Sequence, residues 1–259
     1  MARMRHVGAL DGTGHACVIE EEVPALGKGQ VLVKTHASLV SPGTELSMAK
    51  LARKDGVTEK GEPRPFGYQN AGEVVEVGEG VTQFSRGDRV ACMGAGHARH
   101  TNWSVVPQNL CARLPENVGY EEGAFAHLAC TSLNALRRGD PELGEYLLVV
   151  GLGLVGQMAA SLGRTAGMWV MGWDTIPFRC EVARGWGIHD TTVVGEENAK
   201  EKAAAFTRGL GFDVAIMAFG GDGNKALEAV RGVMKVSADR HQMGRVCPVS
   251  YTHLRAHET

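Results

Sequence analysis

Apolar positions recur along this chain in two different rhythms. Up to about residue 115 they come in short stretches separated by glycine turns. Gln30-Val-Leu-Val-Lys-Thr-His36 alternates like a half-buried strand after the turn Pro24–Gly29. Gly72-Glu-Val-Val-Glu-Val77, Gly87-Asp-Arg-Val-Ala-Cys92 and Trp103-Ser-Val-Val106 repeat the pattern. Many short strands with glycine turns predict a small β-barrel. From Tyr120 to Arg138 the period becomes helical, with Phe125, Leu128, Ala129, Leu133 and Leu136 on one face.

Beyond residue 140 the rhythm is strand, helix, strand. Leu147-Leu-Val-Val150 is a short apolar run, as a strand covered on both faces should be. It leads into Gly151-Leu-Gly153-Leu-Val-Gly156, a helix from Gln157, a second run Trp169-Val-Met171, and then Asp174. Each glycine meets a separate physical demand. Gly151 permits a tight turn, Gly153 lets a pyrophosphate approach closely, and Gly156 lets the helix pack close on the strand. The helix start, with Leu154 and Val155, offers amides and a positive dipole end to that pyrophosphate. Asp174 stands where a carboxylate accepts hydrogen bonds from an adenosine ribose. Helices from Pro177 to Trp186, Asn198 to Arg208 and Asn224 to Val236 alternate with strands at 191–194 and 212–217. The predicted fold class is α/β, a barrel followed by a doubly wound parallel sheet.

Composition narrows the function classes. The chain has 259 residues, 44% hydrophobic and 22% charged, with net charge −2. That balance points to a packed globular protein and away from nucleic-acid or membrane-surface partners. Six cysteines include no C-x-x-C pair, so neither a zinc knuckle nor a disulfide framework is expected, and free thiols suit a cytoplasmic setting.

A barrel followed by a dinucleotide sheet resembles the medium-chain dehydrogenase/reductase superfamily, whose first domain is GroES-like. Gly72–Val81 with Gly87-Asp-Arg-Val90, Thr131-Ser-Leu-Asn-Ala-Leu136 and Phe212-Asp-Val-Ala-Ile216 carry the likeness. It implies a GroES-like domain over 1–135, a Rossmann domain over 136–248, and an NAD(P)-dependent oxidoreductase acting on an alcohol, carbonyl or activated double bond. The polar stretch 249–259 resembles an adaptor-derived cloning tail. That reading implies a chain cut short near Val246–Pro248, an unpaired edge at strand 212–217, and low turnover beside a homodimeric or homotetrameric parent.

The zinc-dependent members place a cysteine where this chain has Pro42 and a histidine where it has Tyr68; the third ligand position falls near His127. Proline offers no ligand and tyrosine is a poor one, so zinc is not expected. Thr44 matches the family's proton-relaying position. Tyr68 brings a phenol that can hydrogen-bond a developing alkoxide, and His127 is the third catalytic candidate. Cofactor candidates are Thr131, Gly151, Gly153, Leu154, Val155, Gly156, Asp174 and Arg179. The carboxylate of Asp174 favours NAD(H) over NADP(H), although Arg179 follows it. Two alternatives stay open: a zinc enzyme with relocated ligands, for which Cys92, His97 and His100 are candidates, and a dinucleotide-binding protein without catalysis.

Overall fold

The computed structural model describes residues 3–249 apart from Asp55, together with Thr252 and His253. The chain divides into two compact units, Met1–His127 and Leu128–Thr259.

The first unit contains β1 (Met4–Leu10), β2 (Ala16–Glu22), β3 (Gln30–Ser38), α1 (Glu45–Lys54), β4 (Arg64–Pro65), β5 (Gln69–Val77), β6 (Arg89–Met93), β7 (Trp103–Pro107), β8 (Cys111–Arg113) and α2 (Tyr120–Gly123). Five strands form an antiparallel sheet in the order β7-β3-β5-β6-β8, and β2-β1-β4 form a smaller one. The inward positions Val31, Val33, Val74, Val90 and Val106 close around Phe84. β1 and β2 escaped the pattern reading for different reasons: β1 buries Arg5 on the same face as Val7 and Ala9, while β2 buries no residue and leaves Val18 68% exposed. Sequence alternation is informative only where one face of a strand is covered.

The second unit is built on α3 (Ala126–Gly139), β9 (Tyr146–Val150), α4 (Leu154–Thr165), β10 (Trp169–Asp174), α5 (Pro177–Gly185), β11 (Asp190–Val193), α6 (Ala199–Phe206), β12 (Val214–Met217), β13 (Gly221–Asp222), α7 (Asn224–Arg231), β14 (Arg245–Pro248) and β15 (Thr252–His253). Its sheet is parallel, in the order β11-β10-β9-β12-β14. Leu147, Val149, Val170 and Ile216 pack on one side against Ala159 and Ala183. Leu148, Met171, Trp173 and Ala215 pack on the other against Ala203 and Val230. Coverage on both faces explains why these strands read as apolar runs without alternation.

Three expectations are corrected. The helix across Tyr120–Arg138 is two helices, broken around Ala124–Phe125, and its buried stripe is Leu128, Ser132, Ala135, Leu136 and Gly139. Phe125 and Leu133, which share that face by periodicity, are 37% and 38% exposed. The break resets the helical phase. Strand 212–217 is not the sheet edge: β12 lies between β9 and β14, and β14 is the outer strand. The helix expected to reach Val236 ends at Arg231, with Gly232 at its C-terminal cap. Most of the tail 249–259 lies outside the described residues; of the rest, Thr252 and His253 pair with Gly221 and Asp222.

Candidate functional site

In the second unit the glycine-rich turn joins β9 to α4. Gly151 has φ +89°, a left-handed conformation that disfavours a side chain, and a Cβ there would lie 2.9 Å from the Ala218 carbonyl oxygen. A Cβ on Gly156 would sit 1.8 Å from the Gly151 oxygen, so only glycine lets α4 pack this close to the turn. Gly153 differs: its Cβ would meet nothing within 4 Å, so the backbone faces open space there. It is also the N-cap of α4 and makes no side-chain cap hydrogen bond to the first-turn amides. Leu154 and Val155 are half-buried in that turn. Ser132, on the same stripe of α3, donates to Val155 O at 2.8 Å and pins α3 to the start of α4, with half-buried Thr131 beside it.

Asp174 ends β10 and is 7% exposed. Its Oδ2 accepts from Leu152 N at 2.7 Å, and its Oδ1 accepts from Ile176 N at 2.9 Å. Arg179 Nη1 lies 3.4 Å from Oδ2 with its side chain half exposed. Gln157 Nε2 donates to Leu152 O and Arg179 O, tying helix, turn and acidic end together. Cradle and carboxylate therefore form one rigid hydrogen-bonded unit. The residues present fit a dinucleotide: a helix start without a side-chain cap, open space at the middle glycine, and a hydrogen-bonded carboxylate at the neighbouring strand end.

In the first unit Tyr68 precedes β5. Gly67 before it has φ +106°, and a Cβ there would stand 2.4 Å from His100 N, so the loop carrying His100 presses directly on this backbone. Gln69 after it is fully buried, its Nε2 donating to Leu39 O at 3.1 Å. The Tyr68 backbone oxygen accepts from Gly94 N at 2.9 Å. Its ring meets the His127 imidazole edge-on, with centroids 5.2 Å apart. Burial holds His127 below its ordinary pKa, favouring the neutral imidazole. The structure thus brings Tyr68 and His127 together. Thr44 stands half-buried in the turn leading into α1, its carbonyl oxygen accepting from Ser47 Oγ at 2.5 Å.

A network beside Thr44 was not read from the sequence. Glu45 is 1% exposed. Its Oε2 accepts from Ser41 N at 2.5 Å, closing the turn Ser41–Glu45. Its Oε1 accepts from His100 Nε2 at 3.1 Å, and His100 Nδ1 pairs with Ser38 Oγ at 2.9 Å. An acidic residue directly after a turn was the available signal, but its partner lies 55 residues away. Both ring nitrogens of His100 are therefore engaged. Cys92 faces Cys111 with Sγ atoms 3.7 Å apart. Among the described residues no three His, Cys, Asp or Glu side chains are grouped to hold a metal ion, Cys92, His97 and His100 included. Pro42 offers no side-chain donor and Tyr68 only a poor one, so these two positions do not fit a catalytic zinc.

Residues 27–140 match the alcohol dehydrogenase GroES-like domain. L-threonine 3-dehydrogenase of Burkholderia ambifaria is 31% identical over 74% of this chain and 64% of its own length. Sorbitol dehydrogenase of Halalkalibacterium halodurans is 27% identical over 79% of this chain and 66% of its own. In fold, the chain is similar to galactitol-1-phosphate dehydrogenase of Escherichia coli (TM-score 0.81, 19% identity, 98% of this chain and 78% of that one). The parallel-sheet architecture and these likenesses define an alcohol dehydrogenase-like class. The chain belongs to the medium-chain dehydrogenase/reductase superfamily. It spans about two thirds of the length of the curated relatives it matches, 64% to 66% for these two dehydrogenases. Among the described residues no helix is long and apolar enough to cross a membrane.

Proposed function

We propose that the second unit binds NAD(H) in preference to NADP(H), and that the protein is a zinc-independent, cytoplasmic oxidoreductase of a small alcohol, carbonyl or activated alkene, assembling as a homodimer or homotetramer. The observation that carries this reading is the glycine cradle, closed at Gly151 and Gly156 and open at Gly153, beside the anchored carboxylate of Asp174. Gly153, Leu154, Val155 and Gly156 would hold the pyrophosphate, with Thr131 near the same helix start. Asp174 would hold the adenosine ribose, and its charge disfavours a 2′-phosphate there. Arg179 is already paired to that carboxylate, which weakens its claim as a phosphate ligand. The nicotinamide, when bound, supplies or accepts the hydride.

On the substrate side, the Tyr68 phenol donates a hydrogen bond to the substrate oxygen where zinc-dependent relatives would present a metal. The Thr44 hydroxyl relays the proton, and neutral His127 supports Tyr68 through their edge contact. Fluorescence titration with NADH and NADPH tests the cofactor assignment. NADH is expected to bind more tightly, and Asp174→Ala to weaken it about tenfold, the loss of about 1.4 kcal/mol. Tighter NADPH binding by the unmutated protein would overturn the preference. Elemental analysis after purification tests the metal reading, and one tightly held zinc per chain would sink it.

A further inference from the structure

Cys92 and Cys111 occupy directly opposed positions on the antiparallel strands β6 and β8. Leu114 N donates to Arg89 O at 2.9 Å on the continuation of the same ladder, which makes Arg89 and Leu114 a hydrogen-bonded pair. Bonded and non-bonded pairs alternate along an antiparallel ladder, so Cys92 and Cys111 form a non-bonded pair, the kind whose Cα atoms approach to about 4.5 Å. A disulfide needs Cα atoms about 4.4–6.8 Å apart and Cβ atoms about 3.5–4.5 Å apart, and this pair type falls in that range. The sulfurs already stand 3.7 Å apart, both thiols are free, and the bond requires them to close to about 2.05 Å. β8 is a three-residue strand at the sheet edge with β6 as its neighbour, so it can take up that shift without breaking a second ladder.

We propose that Cys92 and Cys111 are a redox site, oxidised by a peroxide to a reversible cross-strand disulfide that fastens the edge strand β8 to β6. The two thiols differ in access. Cys111 is half-buried, whereas Cys92 is 3% exposed within the core of the first unit. Contact with Cys111 and burial also hold Cys92 in its protonated form, so Cys111 is attacked first. Its sulfur displaces water from hydrogen peroxide as the O–O bond breaks, giving a sulfenic acid. The Cys92 sulfur then attacks that sulfur; the S–O bond breaks, and a second water leaves with the remaining thiol proton. In total two S–H bonds are lost, one S–S bond forms, and two electrons pass from sulfur to peroxide.

The test treats the folded, reduced full chain with hydrogen peroxide, then counts thiols in denaturant and maps peptides. Six free cysteines are expected to fall to four, with a peptide linking Cys92 to Cys111, and dithiothreitol is expected to restore six. Cys111→Ser is expected to keep all its remaining thiols under the same exposure. Mapping the unmutated protein decides the question even if that variant fails to fold. Retention of all six thiols, or loss that maps to exposed Cys130 in cross-linked chains, would overturn the assignment.

Discussion

The two units build their candidate sites from different parts of the chain. In the second, the cradle is backbone: a left-handed Gly151, an open Gly153, and a Gly156 that only glycine can occupy. In the first, the candidate chemistry sits on side chains held by long-range partners: Tyr68 against His127, and Glu45 against His100. A backbone site constrains residue type at fixed spacing and so recurs as a recognisable string. A side-chain site tolerates exchange as long as the enclosing turns persist. Here Pro42 lies within the turn that Glu45 closes by accepting from Ser41 N, and Tyr68 stands apart from it before β5.

Substitutions at the two kinds of site should separate this contrast. The largest effect is expected at Gly156→Ala, where the new Cβ overlaps backbone rather than a movable side chain. A loss of about 3 kcal/mol or more is expected, at the upper end for overpacking. Urea unfolding measures it; a variant as stable as the parent would show that the helix shifts freely and that the cradle is not rigid. Glu45→Ala comes next. It removes the acceptor for both Ser41 N and His100 Nε2 in a buried place, a cost of about 2–3 kcal/mol. Glu45→Gln, which can still accept from Ser41, should lose less. Equal losses for the two variants would show that volume, not hydrogen bonding, holds this turn.

Gly153→Ala sharpens the contrast in the other direction. Its φ of −72° suits alanine and its Cβ meets open space, so stability should change by less than about 1 kcal/mol. NADH affinity should nevertheless fall about tenfold, as a methyl group enters the pyrophosphate approach. Unchanged affinity would remove Gly153 from the proposed contact.

The smallest effect is with pH. Burial lowers the folded-state pKa of His127 in one unit and of His189 in the other, where Arg164 adds to the shift. For a base lowered on folding, the unfolded chain takes up more protons. Stability is therefore full above the unfolded value of about 6.5, falls as the pH drops through it, and levels off below the folded pKa. His189 Nδ1 also accepts from Val170 N at 2.9 Å, a bond that protonation of that nitrogen would end. Melting temperature is expected to fall between about pH 7 and pH 5. His127→Gln and His189→Gln should each flatten part of the slope; an unchanged slope in both would assign it to other groups.

The parallel sheet was legible because each of its strands is covered on both faces, so its apolar runs need no partner to be seen. Local spacing also carried the order of turn, helix and acid from Gly151 to Asp174, since those constraints act over a few residues. The helix break at Ala124–Phe125 was not legible, because Phe125 and Leu133 continue a period that the observed helices do not share. β2 left no signal because pairing rather than a buried face defines it, and β1 hid its face by burying Arg5 beside Val7 and Ala9.

By itself the sequence determined the α/β class, the glycine string from Gly151 to Gly156, and Pro42 and Tyr68 as residue types, because each depends on residue type at short range. Only the tertiary structure decided that Asp174 is anchored on Leu152, that Tyr68 meets His127, that Glu45 is closed off by His100, and that Cys92 faces Cys111. These pairings join residues 19 to 59 positions apart along the chain. Such distances are bridged by strand pairing and loop approach, which no local pattern encodes.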